Sequence, residues 1–136
     1  MPVFSQWCDF HDYHLDWFVM DCAERRVELV LTPEVGDRRA RIEFLHVREL
    51  QLVDLALDTI IDEIDEIAFS DLEQYGDFSS RYKWSLREAI DNYGQKENLR
   101  LWRIGSSLGL HAAILAKEVR VTAIVPGELG GSSATR

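Results

Sequence analysis

Short segments in which apolar and polar residues alternate are the feature that most restricts the fold of this chain. Such alternation runs through 11–21, 26–32 and 39–46. It predicts three strands that each present an apolar face to a core. The segments between them are too short for the crossover that parallel strands need, and Pro33 and Gly36 are turn residues. An antiparallel meander is therefore expected here.

A second group of strands is predicted toward the C-terminus, over 99–104, 110–116 and 119–125. The segment 105–109, Gly-Ser-Ser-Leu-Gly, is typical of a hairpin connection. Together the two groups predict an α+β fold: a mostly antiparallel curved sheet or barrel-like sandwich of about six strands with one or two helices.

The residues that follow the meander change period. Leu57, Ile60, Ile61, Ile64 and Ile67 recur at near-helical spacing, with acids filling the gaps. This pattern predicts an amphipathic helix over 58–68 that packs its isoleucines on the sheet. A strand that begins at Thr59 is the alternative, because isoleucine is β-branched. A second, shorter helix is expected from Trp84, with Ser85 as its cap and Gly94 at its end.

Length and composition indicate how much of this chain folds. With 136 residues, 46% of them hydrophobic, the chain can bury one core. We expect one globular domain over 1–126 and a disordered Gly- and Ser-rich tail over 127–136. No apolar run reaches membrane-spanning length and no secretion signal is visible, so a cytoplasmic protein without membrane association is predicted, with Cys8 and Cys22 reduced.

Charge is distributed unevenly along the sequence. The formal net charge is −9, and residues 49–80 contain ten acids and neither Lys nor Arg. This balance argues against nucleic-acid binding, which needs cations to neutralise phosphates. It favours an acidic surface that binds a basic surface on a protein partner. The residues predicted to form that surface are Asp58, Asp62, Glu63, Asp65, Glu66, Asp71 and Glu73.

Two other interpretations of the acidic block stay open. In a homodimer, the block would meet the basic cluster formed by Arg38, Arg39 and Arg41 of a second copy. In the simpler interpretation, the acids form a solvated face that keeps the protein in solution.

The densest set of potential metal ligands is His11, Asp12, His14 and Asp16. Imidazole and carboxylate groups bind zinc, iron or manganese, so a metal-binding protein or a metal-dependent enzyme is the alternative function. No second ligand pair at suitable spacing follows. A side-chain to backbone hydrogen bond at the start of the strand explains His11 and Asp12 equally well. We therefore predict no cofactor. No specific catalytic motif is present either, which favours a non-catalytic protein.

Three short motifs carry a resemblance to a known group of proteins. They are Phe10-His11-Asp12 before the first strand, the segment 44–50 with Phe44, Val47 and Leu50, and the 104–109 hairpin followed by Val119-Arg-Val121. In these motifs the chain resembles small bacterial families of uncharacterised and toxin-immunity-like proteins. The resemblance implies a compact, mostly antiparallel domain without an enzyme active site. An immunity role would mean stoichiometric binding to a toxin.

Overall fold

The structure, a computed structural model, describes Trp7 and residues 10–74 and 84–124. Its strands are β1 (His14–Asp21), β2 (Arg26–Thr32), β3 (Arg39–Asp54), β4 (Ile60–Ile67), β5 (Arg100–Leu108) and β6 (His111–Ile124). A 3-10 helix (Phe69–Gln74) follows β4. Helix α1 (Trp84–Ala89) continues into a π-helical turn (Ile90–Gly94). The predicted tail 127–136 and Cys8 lie outside the described residues.

The six strands form a closed barrel in the order β1-β2-β3-β6-β5-β4, with every neighbouring pair antiparallel. The predicted fold class, a curved antiparallel sheet of about six strands with one or two helices, is confirmed. Closure between β1 and β4 is short. The Ile61 amide donates to the Tyr13 carbonyl at 2.8 Å, and the Leu15 amide donates to the Thr59 carbonyl at 3.0 Å. A few hydrogen bonds therefore join the first and last strands of the ring.

Strands β3 and β6 are the longest and belong to both halves of the barrel. They pair from Arg39 opposite Ile124 to Asp54 opposite His111. The register shifts after Val47, next to His46, whose backbone is left-handed at φ 55°. Strand β2 pairs with β3 before this shift, and β5 pairs with β6 beyond it. The register shift therefore separates the part of the β3–β6 pair that borders β2 from the part that borders β5.

Two apolar clusters lie on opposite faces of the sheet. One fills the barrel and includes Phe10, Phe44 and Trp102. The other lies outside it, where α1 and the π-helical turn place Leu86 and Ile90 against β5 and β6. Residues 112–116 of β6 are buried on both faces, because Ala112 and Ile114 face the interior while Ala113 and Leu115 face the helix. Burial on both faces explains why this stretch is uniformly apolar.

The helix predicted over 58–68 is wrong: these residues form β4, as the strand alternative proposed. The near-helical spacing arises because β4 is buried on both faces and its register with β5 is irregular near Ile61. Ile61 and Ile64 point into the barrel, whereas Ile67 packs in the outer cluster under the helix. The irregular register thus lets Ile61 and Ile64 share the interior face, and the outer cluster buries Ile67 on the opposite face.

Several predicted strand bounds are also wrong. The segments 110–116 and 119–125 are not separate strands. One strand, β6, runs through both as far as Ile124, because the pairing with β3 continues from Ala116 to Glu118 without a turn. The third strand extends to Asp54 instead of ending at 46. Strand β5 extends to Leu108, so the hairpin turn is confined to Gly109 and Leu110. The first strand begins at His14. None of the helices in the described part of the chain is long and apolar enough to cross a membrane.

The turn between β5 and β6 depends on a glycine. Gly109 has a left-handed φ of 97°, and a Cβ atom there would overlap the Thr59 hydroxyl and lie 2.9 Å from the Thr59 Cβ. Gly36 also has a left-handed φ, 94°, but a Cβ there meets nothing within 4 Å. The two glycines therefore separate the cost of backbone strain from the cost of steric overlap.

We expect Gly109→Ala to lower the free energy of unfolding by about 3 kcal/mol or more, because strain and overlap add. Gly36→Ala, which imposes only the backbone strain, should cost about 1 kcal/mol. Urea denaturation of both variants measures the difference. Equal costs would show that the contact with Thr59 is not a constraint.

Candidate functional site

A group of aliphatic side chains is exposed at the end of the barrel where β3 finishes. We call it the apolar rim, and it consists of Leu52, Val53, Leu55, Leu57 and Leu108. Leu57 is 100% exposed and Leu55 is 55% exposed. Every residue from 52 to 58 is exposed. Exposed aliphatic groups that lie together typically mark an interaction site, whereas isolated ones need no explanation.

Strand pairing brings the two parts of the apolar rim to the same end of the barrel. Leu108 lies opposite Ile60, the first residue after the connection between β3 and β4. Leu52 lies opposite Ala112, at the start of β6. The end of β3, the following connection and the β5–β6 turn therefore share one surface.

Thr59 holds this surface in place. Its side chain is among the few buried polar groups of the described residues, with 1% exposure. The hydroxyl donates to the Ala56 carbonyl at 2.8 Å and accepts from the Leu110 amide at 3.3 Å. One buried hydroxyl thus ties the β3–β4 connection to the β5–β6 turn. The leucines of the connection are presented by an anchored segment.

Two acids belong to the same surface. Asp54 and Asp58 are exposed within the segment that carries the apolar rim. Neither forms an ion pair with any Lys or Arg of the described residues. The rim therefore combines aliphatic side chains with negative charge that is not compensated locally.

The remaining acids of the predicted surface are arranged differently. Glu63 and Asp65 on β4 both contact Arg103 on β5, and the Asp65 contact is 3.6 Å long. Glu66 pairs with Arg100 through two hydrogen bonds, which raises the pKa of Arg100 above its ordinary value. Charges that are segregated along the sequence are thus paired across neighbouring strands.

The last two acids of the prediction, Asp71 and Glu73, lie in the 3-10 helix after β4. The structure therefore divides the predicted acidic surface. Asp58 lies with the apolar rim, Asp62 lies beside His11, and the β4 acids Glu63, Asp65 and Glu66 are paired with arginines.

Arg103 is the more buried partner of its ion pairs: its side chain is 15% exposed, whereas Glu63 and Asp65 are 42% and 30% exposed. We expect Arg103→Gln to lower the free energy of unfolding by about 1–3 kcal/mol, because it removes the charged donor that Glu63 and Asp65 share. The matched control is Arg120→Gln, which removes the Arg120–Glu118 pair at 61% exposure of the arginine. That change should cost less than about 0.5 kcal/mol. Chemical denaturation at constant pH compares them, and equal costs would contradict the assignment.

The four residues of the predicted metal site are not brought together. His11 has Asp62 Oδ1 at 3.4 Å from Nδ1 and Asp12 Oδ2 at 3.5 Å from Nε2. The two carboxylates thus contact different ring nitrogens and do not converge on one point. Asp16 instead accepts hydrogen bonds from Arg39, at 2.9 Å, and from Thr32. His14 pairs with Thr32 and Ile60 in the barrel wall.

Asp12 is not a strand residue, so it does not share a strand face with His14 and Asp16. Asp12 precedes β1 and has a left-handed φ of 65°, and the register of β1 shifts between Leu15 and Trp17. Within the described residues, no group of three or more His, Cys, Asp or Glu side chains could hold a metal ion.

The His11 imidazole nonetheless lies at the closure of the barrel, with Nδ1 3.1 Å from the Asp62 carbonyl. That backbone carbonyl, followed by the charge of Asp12, raises the pKa of His11 above 6.5. Because the folded state binds this proton more tightly, the stabilisation is fully present below pH 6.5. It is lost as pH rises through the raised pKa.

We expect NMR titration of His11 to give a midpoint above 6.5, and Asp12→Asn to lower it, because the variant removes a negative charge next to Nε2. The free energy of unfolding should fall with rising pH across this window, and His11→Ala should remove that part of the dependence. A His11 midpoint that Asp12→Asn leaves unchanged would contradict the electrostatic assignment.

The basic cluster of the sequence is occupied within the chain. Arg38 stacks over the Trp7 ring at 3.9 Å. Arg39 pairs with Asp16, and Arg41 lies 3.5 Å from Glu28. These contacts argue against the dimer in which the cluster would meet the acidic block of a second copy, because the arginines already have partners within the chain.

Comparison of the chain with models of known protein families found no match, and a search of curated proteins found none. The geometry of the apolar rim is therefore the main support for a functional conclusion. The sequence already contained its signal, Leu52-Val-Asp-Leu-Ala-Leu-Asp58. Sequence reasoning missed it because Leu57 was included in the apolar stripe of a predicted helix.

Proposed function

We propose that this protein is a non-catalytic binding protein that holds a protein partner on the apolar rim. The observation that carries the proposal is a run of exposed residues, 52–58, in which three leucines and a valine accompany two acids. Burial of exposed aliphatic surface is favourable by roughly 25 cal/mol per Å². A partner that covers these side chains therefore gains more binding free energy than one that contacts the paired charges of β4.

The charge of the surface indicates the chemistry of the partner. Asp54 and Asp58 would face a partner that brings Lys or Arg next to an apolar centre. Complementary charge speeds the encounter and selects among partners, while the aliphatic contacts supply most of the affinity. Two copies of the rim would bring like charges together, so a different protein suits this surface better than a second copy.

The proposed partner is still a basic protein, as the sequence predicts, but the proposed contact surface is the apolar rim instead of the whole acidic block. The acids proposed to bind it are reduced to Asp58, together with Asp54, which was outside the predicted set. An immunity-like role, in which the protein binds a basic toxin with fixed stoichiometry, is the form of this function that the resemblance implies. It adds to the proposal the expectation that one chain binds one partner molecule.

The proposal is tested with partner capture from the native host by the tagged full chain. We expect Leu55→Ser/Leu57→Ser to reduce the captured partner by at least tenfold, because the substitutions remove the apolar contacts that both side chains make with the partner. Asp54→Asn/Asp58→Asn should weaken capture less and should reduce its dependence on salt. Quantitative mass spectrometry of the bound fraction at two ionic strengths measures both effects.

The control is Val35→Ser, which removes an aliphatic side chain that is 87% exposed in the β2–β3 turn. Its capture should equal that of the wild type. A partner retained in full by the Leu55→Ser/Leu57→Ser variant, or lost equally with Val35→Ser, would contradict a role for the apolar rim.

A further inference from the structure

Within the described residues, strand β6 has one long edge that no strand pairs with. From Ala112 to Ala116 it lies between β3 and β5, and the pairing with β5 ends where Ala116 faces Arg100. From Lys117 to Ile124 it pairs with β3 alone, and no other strand of the described residues runs along it. The open edge is therefore the stretch 117–124.

This edge lacks a proline and a bulge, two of the devices that usually prevent strand addition, and its charged residues are Lys117, Glu118 and Arg120. Natural edge strands are kept short or are interrupted by proline or a bulge. The register between β6 and β3 is regular from Glu118 opposite Leu45 to Ile124 opposite Arg39, and the stretch contains no proline. Its backbone groups are thus aligned to accept another strand.

We propose that a second copy of this chain pairs with the open edge, β6 against β6, in an antiparallel arrangement with Val121 opposite Val121 of the partner subunit. Such a contact is isologous, because the same surface serves both subunits around a two-fold axis. The two barrels would then share one continuous sheet. This proposal does not rest on the function proposed for the apolar rim.

The length of the edge and its charges select the register. Since β5 occupies the positions up to Ala116, two registers use most of the open edge: 117–123 paired with itself or 118–124 paired with itself. The first places Arg120 opposite Arg120 of the partner subunit, which is destabilising because like charges face each other. The second places Val121 opposite Val121, a β-branched pair that suits a strand.

The local charge of the edge also permits pairing of two copies. It carries Lys117, Glu118 and Arg120, so it does not share the acidic excess of the chain. The side chains of Arg120 and Glu118 pair with each other at 2.8 Å. The apolar rim lies beyond the other end of β6, near His111, and stays exposed in such a dimer.

The first test is sedimentation velocity of the full chain over micromolar to several hundred micromolar concentration. A monomer–dimer equilibrium is expected, and a monomer throughout would overturn the proposal. Register is tested by disulfide formation in a background of Cys8→Ser/Cys22→Ser. Val121→Cys should give a covalent dimer, because directly opposite residues lie about 4.5–5.5 Å apart, within disulfide reach. Arg120→Cys should not, and the reverse result would overturn the register.

The second test uses charge at Thr122, an exposed residue that would face Arg120 of the partner subunit. Thr122→Glu should strengthen the dimer and Thr122→Arg should weaken it, each by roughly two- to thirtyfold, since two such pairs form per dimer. The same substitutions at Asn92, an exposed residue of the π-helical turn, control for net charge. Thr122 variants that behave like the Asn92 variants would overturn the proposed pairing.

Discussion

The pairing of β3 with β6 is the interaction on which the rest of the molecule depends. These two strands run through both halves of the barrel, and the other four strands attach to them in pairs. The register shift beside His46 divides this long pair into a part that borders β2 and a part that borders β5. Closure between β1 and β4 then needs only a few hydrogen bonds around Ile61, because the ring is already brought together by the long pair.

The order of the strands in the barrel also decides which acids of this protein are paired with arginines. The acids of β4 lie beside β5, which carries Arg100 and Arg103 from a distant part of the sequence. Neutralisation across strands leaves β4 with little free negative charge, although its sequence is strongly acidic. The acids that lack cationic partners among the described residues include Asp54, the last residue of β3, and Asp58, in the connection that follows it. The surface that we propose binds a partner is thus an end of the barrel rather than its wall.

A single buried hydroxyl links architecture to that surface. Thr59 binds both the connection after β3 and the turn before β6, and Gly109 leaves room for it. The exposed leucines therefore sit on a segment tied to the barrel at its end. An anchored apolar surface loses less conformational entropy on binding than a free one, which favours its use as a contact site.

The sequence by itself determined the meander of β1, β2 and β3, because alternation with short connections admits an antiparallel solution and few others. It also indicated the sheet-rich class. It did not determine β4, since isoleucines three residues apart fit a helix and also fit a strand with an irregular register and a covered outer face. The pairing with β5 supplies the first condition and the packing of α1 supplies the second. The ion pairs of Arg103 and the meeting of Leu108 with the β3–β4 connection were likewise decided by tertiary structure. Both depend on which strands become neighbours, and spacing along a chain carries no information about neighbours that are distant in sequence.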